Sequence, residues 1–197
     1  MASPGAVFLD RDGTLNRKAP EGEYIRTPGE FELLPGAASA VRRINESGIL
    51  VILITNQRWL SDPAASIDAY LALERELDRQ LAAEGAALDG RYVCPHPKDC
   101  CDCRKPAPGM LLQAAVDFDI GLTASFVIGD ALTDVEVGRA VGATTVLIDP
   151  REGGVNADSS VAHFTAGDVG AAVDWAIRRS SQRPPHNVMT KLPTVLA

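Results

Sequence analysis

The sequence predicts a three-layer, Rossmann-like α/β fold built on a central, mainly parallel sheet, and three features carry that expectation. Short apolar runs alternate with helical patterns, the order that yields parallel strands joined by crossover helices. One run, ILVILIT at 49–55, is apolar up to its last residue, as a strand covered on both faces must be. Three of the expected strands end in acidic or amide groups, at the sheet edge where open α/β folds bind ligands.

Taken in order, AVFLD (6–10) reads as a buried strand, and residues 36–47 have helical spacing with Gly48 as a stop. After the strand at 49–55, Ser61-Asp62-Pro63 offers a cap and a first-turn proline. The helix it would open places Ile67, Tyr70, Leu73, Leu77 and Leu81 on one stripe and ends near Gly85. RYVC (91–94) is a short strand, followed by a cysteine-rich loop. Pro108 opens a helix over Met110 to Phe118, SFVIGD (125–130) is a strand, and Thr133 to Val141 a short helix. TTVLID (144–149) and AHFTAGD (162–168) are further strands, and Asp168 caps a helix to about Arg178. Residues 1–179 are thus expected to form one domain and 180–197 a tail. No gap between motifs is long enough for a large cap domain.

Composition narrows the function. The formal charge is −7 with no block of Lys or Arg, which argues against nucleic acid as a partner. The longest apolar run, Ile49 to Ile54, is too short to span a bilayer, and residues 1–10 lack the pattern of a secretory signal. A cytoplasmic protein, monomeric or a small homo-oligomer, is the expectation. All four cysteines, Cys94, Cys100, Cys101 and Cys103, lie within ten residues, which points to a metal and not to a disulfide scaffold.

The strand ends carry the chemistry. The first ends Asp10-Arg11-Asp12-Gly13-Thr14, the second Thr55-Asn56-Gln57, and a later one Gly129-Asp130. Carboxylates gathered at one edge repel each other unless a cation sits among them, and hard oxygen ligands favour Mg²⁺. Asp134, one helical turn past Asp130, reads equally as a helix cap or a member of the cluster. The chain has neither a P-loop nor a dinucleotide fingerprint, and no Cys is followed six places later by Arg. A carboxylate nucleophile acting through an aspartyl-phosphate is the phosphate chemistry that remains.

VFLDRDGTLN (7–16), ITNQ (54–57), CRKPAPGM (103–110) and VIGDALTD (127–134) resemble, in order and spacing, the four motifs of the haloacid dehalogenase superfamily. Within it, CPHP…CDCRKPAPGM resembles the branch holding heptose-1,7-bisphosphate and histidinol-phosphate phosphatases. That resemblance implies a magnesium-dependent phosphatase acting on a small phosphorylated metabolite. It assigns Asp10 as nucleophile and Asp12 as general acid and base. Magnesium would be held by Asp10, the backbone carbonyl of Asp12, and Asp130. Thr55 and Lys105 would grip the phosphoryl oxygens, with Arg11, Tyr24, Asn56, Gln57, Arg58 and Arg104 as substrate contacts.

Cys94-x-His96 with Cys101-x-Cys103 supplies four soft ligands for a closed structural zinc site. By spacing alone Cys100-x-x-Cys103 serves as well; the family pattern favours Cys101. Zinc there would fix the backbone that aims Arg104 and Lys105.

The chain departs from its relatives after Thr-Asn-Gln, where small residues and glycines give way to Arg58-Trp59-Leu60-Ser61-Asp62-Pro63. Arg58 reads as a second-phosphate contact or a solvated cation, and Trp59 as packing more than as a substrate platform. Removal of the 7-phosphate from a heptose 1,7-bisphosphate is the leading expectation, with histidinol-phosphate hydrolysis the enzymatic rival. A DNA 3′-phosphatase and a non-catalytic zinc-stabilised binding protein are the remaining alternatives.

Overall fold

The computed structural model describes residues 3–150 and 162–182. Six parallel strands form one sheet: β1 (Ala6–Leu9), β2 (Leu50–Asn56), β3 (Gly90–Cys94), β4 (Phe126–Gly129), β5 (Thr144–Ile148) and β6 (Phe164–Ala166). Their spatial order is β3-β2-β1-β4-β5-β6, a doubly wound arrangement that reverses direction between β1 and β4. The helices are α1 (Ala37–Glu46), α2 (Ile67–Ala83), α3 (Gly109–Phe118), α4 (Leu132–Ala140) and α5 (Val169–Ser181).

Side chains on a strand alternate between faces, and the two cores follow that period. Val7, Leu9, Val51 and Leu53 join α1, α2 and α5 in one core. Ala6, Phe8, Ile52 and Ile54 join α3 and α4 in the other. Both faces are therefore dry, which explains why β1 and β2 read as unbroken apolar runs.

Two details of the expected layout change. The helix after β2 does not start at Ser61-Asp62-Pro63. Residues Arg58–Ser61 form a 3-10 turn that tucks Trp59 into the core, and Asp62 closes the next turn by accepting from the Ala64 N–H at 2.9 Å. The α2 helix begins at Ile67, capped by the Ser66 hydroxyl. As a first-turn residue Ile67 is 64% exposed, whereas Leu73, Leu77 and Leu81 form the buried stripe. At the other end, α5 runs through Ser181, past the expected boundary at 179; of the expected tail, residues 183–197 lie outside the described residues. Among the described residues no helix is long and apolar enough to cross a membrane.

The α5 helix depends on a side-chain cap: the Asp168 carboxylate accepts from the Ala171 N–H at 2.8 Å, and the helix buries Val169, Ala172, Val173 and Ala176. Asp168→Ala is expected to cost about 1 kcal/mol in urea unfolding with an unchanged far-UV spectrum.

Candidate active site

Register gathers the polar strand ends. Leu9 pairs with Leu53 on one side and Ile128 on the other, so Asp10, Thr55 and Asp130 emerge along one edge, at the reversal in strand order. The Asp10 N–H donates to the Ile128 carbonyl at 3.0 Å, extending the ladder by one residue past β1. Gly13, at φ +96°, lets the chain turn close above Asp130; a side chain there would run into that carboxylate.

At the centre sits the Lys105 ammonium, which donates to Asp10 Oδ1 at 2.6 Å, Asp134 Oδ1 at 2.7 Å and the Ile54 carbonyl at 3.0 Å. Its three protons are thereby spoken for. Burial works against its charge, but Asp10 and Asp134 outweigh that and raise its pKa. Burial lifts the Asp10 carboxyl to about 7, with Lys105 pulling against it and Asp134 and Asp12 adding to the rise. Asp134 is 2% exposed and accepts from the Ala131 N–H at 3.2 Å, so it is both a helix cap and a part of the cluster.

Asp12 is held differently. Its Oδ1 accepts from Asn16 Nδ2 at 2.9 Å and from Arg11; its Oδ2 accepts from Gln57 Nε2 at 2.6 Å and Arg11 Nη2 at 3.1 Å. This placement corrects two expected substrate contacts. Arg11 is fully buried, lying between Asp12 and Glu74, and lines no part of the cavity at the strand ends. Gln57, also fully buried, faces Asp12 and Thr55 in place of a ligand. Both side chains are drawn inward because Asp12 and Glu74 offer carboxylates that need donors.

That cavity, of about 320 Å³, is lined by Asp10, Asp12, Thr55, Asn56, Arg104, Lys105, Asp130 and the loop from Lys18 to Ile25, which includes Tyr24. Arg58 is exposed and lies outside this lining. Asn56 clamps the backbone of Lys105, accepting from its N–H and donating to its carbonyl, both at 3.1 Å. Lys18 reaches Asp130 Oδ2 at 2.9 Å, a contact that the sequence did not single out. Its signal was position: a lysine two residues after the Asp-x-Asp-Gly-Thr-Leu-Asn run.

Two clusters fit metals. Asp10, Asp130 and Asp134 each bring a carboxylate oxygen within 4.8 Å of the others. Asp130 Oδ1 is buried with no hydrogen-bond partner, an orphaned acceptor that suits a hard cation. The Asp12 carboxylate is not in this group.

Cys94, His96, Cys101 and Cys103 form the second cluster, with Sγ–Sγ separations of 3.3–3.6 Å and His96 Nδ1 3.2 Å from Cys103 Sγ. Such edges approach the roughly 3.5–3.8 Å of a tetrahedron with zinc–ligand bonds of about 2.0–2.3 Å. Cys100 turns away and donates to the Pro97 carbonyl. Burial and the neighbouring thiols push Cys103 up to about 12, whereas Cys101, against the pull of burial, is drawn down to about 6 by hydrogen bonds from Cys103 and nearby N–H groups. Three thiols so close cannot all ionise without a cation.

Comparison with known proteins adds four findings. A family model described as HAD-hydrolase-like matches residues 102–169. The D-glycero-beta-D-manno-heptose-1,7-bisphosphate 7-phosphatase of Yersinia pestis is 33% identical over 187 residues, covering 91% of this chain and 93% of its own. An alpha-anomer 7-phosphatase from Mycobacterium tuberculosis is 38% identical over 139 residues, 70% of this chain and 73% of its own. Among solved structures, D,D-heptose 1,7-bisphosphate phosphatase from B. bronchiseptica, complexed with magnesium and phosphate, superimposes with a TM-score of 0.77 at 28% identity, covering 89% of this chain and 99% of that one.

The buried Asp10 carboxyl makes a pH prediction. Asp10 titrates near 7 in the fold but near 3.8 when unfolded, so between those values the folded state holds the extra proton. Stability from this group is present at low pH and is lost as pH rises through about 7. In metal-free protein the unfolding midpoint should fall over roughly pH 4–7 and then level off. Asp10→Asn should flatten that slope, as read by thermal melts in chelator.

Proposed function

The chain belongs to the haloacid dehalogenase-like phosphatases, and from that premise we propose that it removes the 7-phosphate of D-glycero-D-manno-heptose 1,7-bisphosphate through a phospho-aspartyl intermediate. The observation that carries this reading is the Lys105 ammonium 2.6 Å from Asp10 in a buried site at the switch point of the sheet. The identity of the relatives supports the substrate.

The Asp10 carboxylate attacks phosphorus in line, forming an acyl-phosphate bond while the bond to the substrate oxygen breaks. Lys105 offsets the charge of the nucleophile as it nears an anionic phosphoryl group. Asp12 gives its proton to the departing oxygen. In the second step it takes a proton from the water that attacks phosphorus and restores Asp10. Thr55 offers a hydroxyl proton to a phosphoryl oxygen. Bound at Asp10 and Asp130, magnesium would neutralise charge on the transferring group. Arg104 and Lys18 line the cavity and are the cations that a second phosphate would meet.

The Cys94–His96–Cys101–Cys103 cluster is read as structural zinc. Its last ligand adjoins Arg104 and Lys105, and Arg104 is further tied to the His96 carbonyl at 3.1 Å. The metal would hold this turn, which has little apolar surface of its own to bury.

Asp10→Asn is expected to lose at least about 1,000-fold in phosphate release, because no nucleophile replaces it. Of the two heptose bisphosphate anomers and histidinol phosphate, a heptose should give the highest kcat/KM; preference for histidinol phosphate would overturn the substrate assignment. Metal analysis should find one zinc per chain, retained in Cys100→Ser and lost in Cys94→Ser. Loss in the first variant would mean that the ligand set is wrong.

A further inference from the structure

The 3-10 turn after β2, Arg58–Ser61, carries a residue that reaches Asp12 through one intermediary. Trp59 is 4% exposed, packed against Tyr70 with ring centroids 6.3 Å apart, and its indole N–H donates to Gln57 Oε1 at 2.9 Å. The other end of the same amide, Gln57 Nε2, donates to Asp12 Oδ2 at 2.6 Å and Thr55 Oγ1 at 2.7 Å. Gln57 has no exposure, so water cannot take the place of any of these partners.

A glutamine amide has one accepting and one donating end, and its orientation follows from its neighbours. An indole N–H only donates, and an ionised carboxylate only accepts. With Trp59 on one side and Asp12 on the other, one orientation satisfies both. The flipped amide would set N–H against N–H at Trp59 and oxygen against carboxylate at Asp12. Leu, Ser or Gly at position 59 would impose no such choice.

We propose that Trp59 is a positioning residue that locks the Gln57 amide and thereby fixes the Asp12 carboxyl for proton transfer to the leaving oxygen. The inference rests on the role proposed above for Asp12. Arg26 links this device to the loop over the cavity: its guanidinium carbon lies 5.8 Å from the Trp59 ring and 5.9 Å from that of Tyr24, which lines the cavity.

Trp59→Phe keeps an aromatic ring in the core and removes the donor together with part of the buried ring volume. The leaving group distinguishes positioning from general damage, because an alcohol must be protonated as it departs and p-nitrophenolate need not be. Kcat/KM reports the step in which that group leaves. Trp59→Phe should lower kcat/KM on the order of tenfold for a sugar phosphate, yet stay within about twofold of wild type for p-nitrophenyl phosphate. Trp59→Met, a flexible apolar side chain without a donor, should show the same split and serves if Trp59→Phe folds poorly. In a Gln57→Ala background, Trp59→Phe should add no further loss.

Equal losses on both substrates, no loss on either, or additive losses in the double variant would each overturn the positioning role. If wild type hydrolyses neither substrate, or Asp10→Asn remains active, the proposed phosphatase chemistry itself fails. The two failures are thus distinguishable.

Discussion

An ammonium buried between two carboxylates organises this molecule. Removing a charge from water costs several kcal/mol, and the cost is offset only when partners meet it in good geometry. Lys105 meets that condition with Asp10, Asp134 and the Ile54 carbonyl, groups that come from β1, α4 and β2. The ends of β1 and β2 and the first turn of α4 must therefore meet at the same height. The backbone of Lys105 is held to match: Asn56 clamps it from both sides, and the Gly109 N–H closes the preceding turn on the Asp102 carbonyl at 2.7 Å. The cysteine and histidine cluster stops one residue before that turn's two cations.

The same arrangement makes two neighbouring acids unlike each other. Asp10 is nearly buried and pairs directly with Lys105 at 2.6 Å. Asp12 is 24% exposed at its side chain and is gripped by N–H donors from Arg11, Asn16 and Gln57. Carboxylates in contrasting surroundings can take separate parts in one reaction, which two equivalent acids cannot. A single intervening residue achieves this, because Arg11 turns inward to Glu74 while the acids on either side of it face the cavity edge.

The layers of the fold were legible because burial on both faces leaves a plain record: β1 is apolar throughout and β2 is apolar up to Ile54, and polar residues come next in each case. Asp10, Asp12, Thr55 and Asp130 could be singled out for the same reason, since a strand end in such a sheet has a known location. What the sequence hid were directions. Arg11 and Gln57 were expected to face a ligand, but nothing local reveals that Glu74, on α2, or the Trp59 indole supplies an inward partner. Asp134 remained balanced between cap and cluster because its second partner, Lys105, is far away in sequence. The α2 start was misplaced since Ser61-Asp62-Pro63 and Ser66 are both good openings, and burial of Trp59 decides between them. Cys100 and Cys101 are likewise equal by spacing; the fold separates them by turning one thiol toward Pro97.

Charge balance at the cavity explains why a cation belongs to the reaction and not merely to the scaffold. Asp10, Asp12, Glu21, Glu23, Asp130 and Asp134 face Lys18, Arg104 and Lys105 across its lining. Two of those three cations are already paired with carboxylates, Lys105 with Asp10 and Asp134, and Lys18 with Asp130. The chain as a whole carries −7, so no long-range field draws in a polyanion. A phosphorylated substrate therefore meets net repulsion unless the acidic cluster is first neutralised, and the orphaned Asp130 oxygen is where a divalent ion has coordination to gain. A divalent ion and a phosphorylated substrate would therefore bind with positive coupling, because each would supply charge that the other lacks.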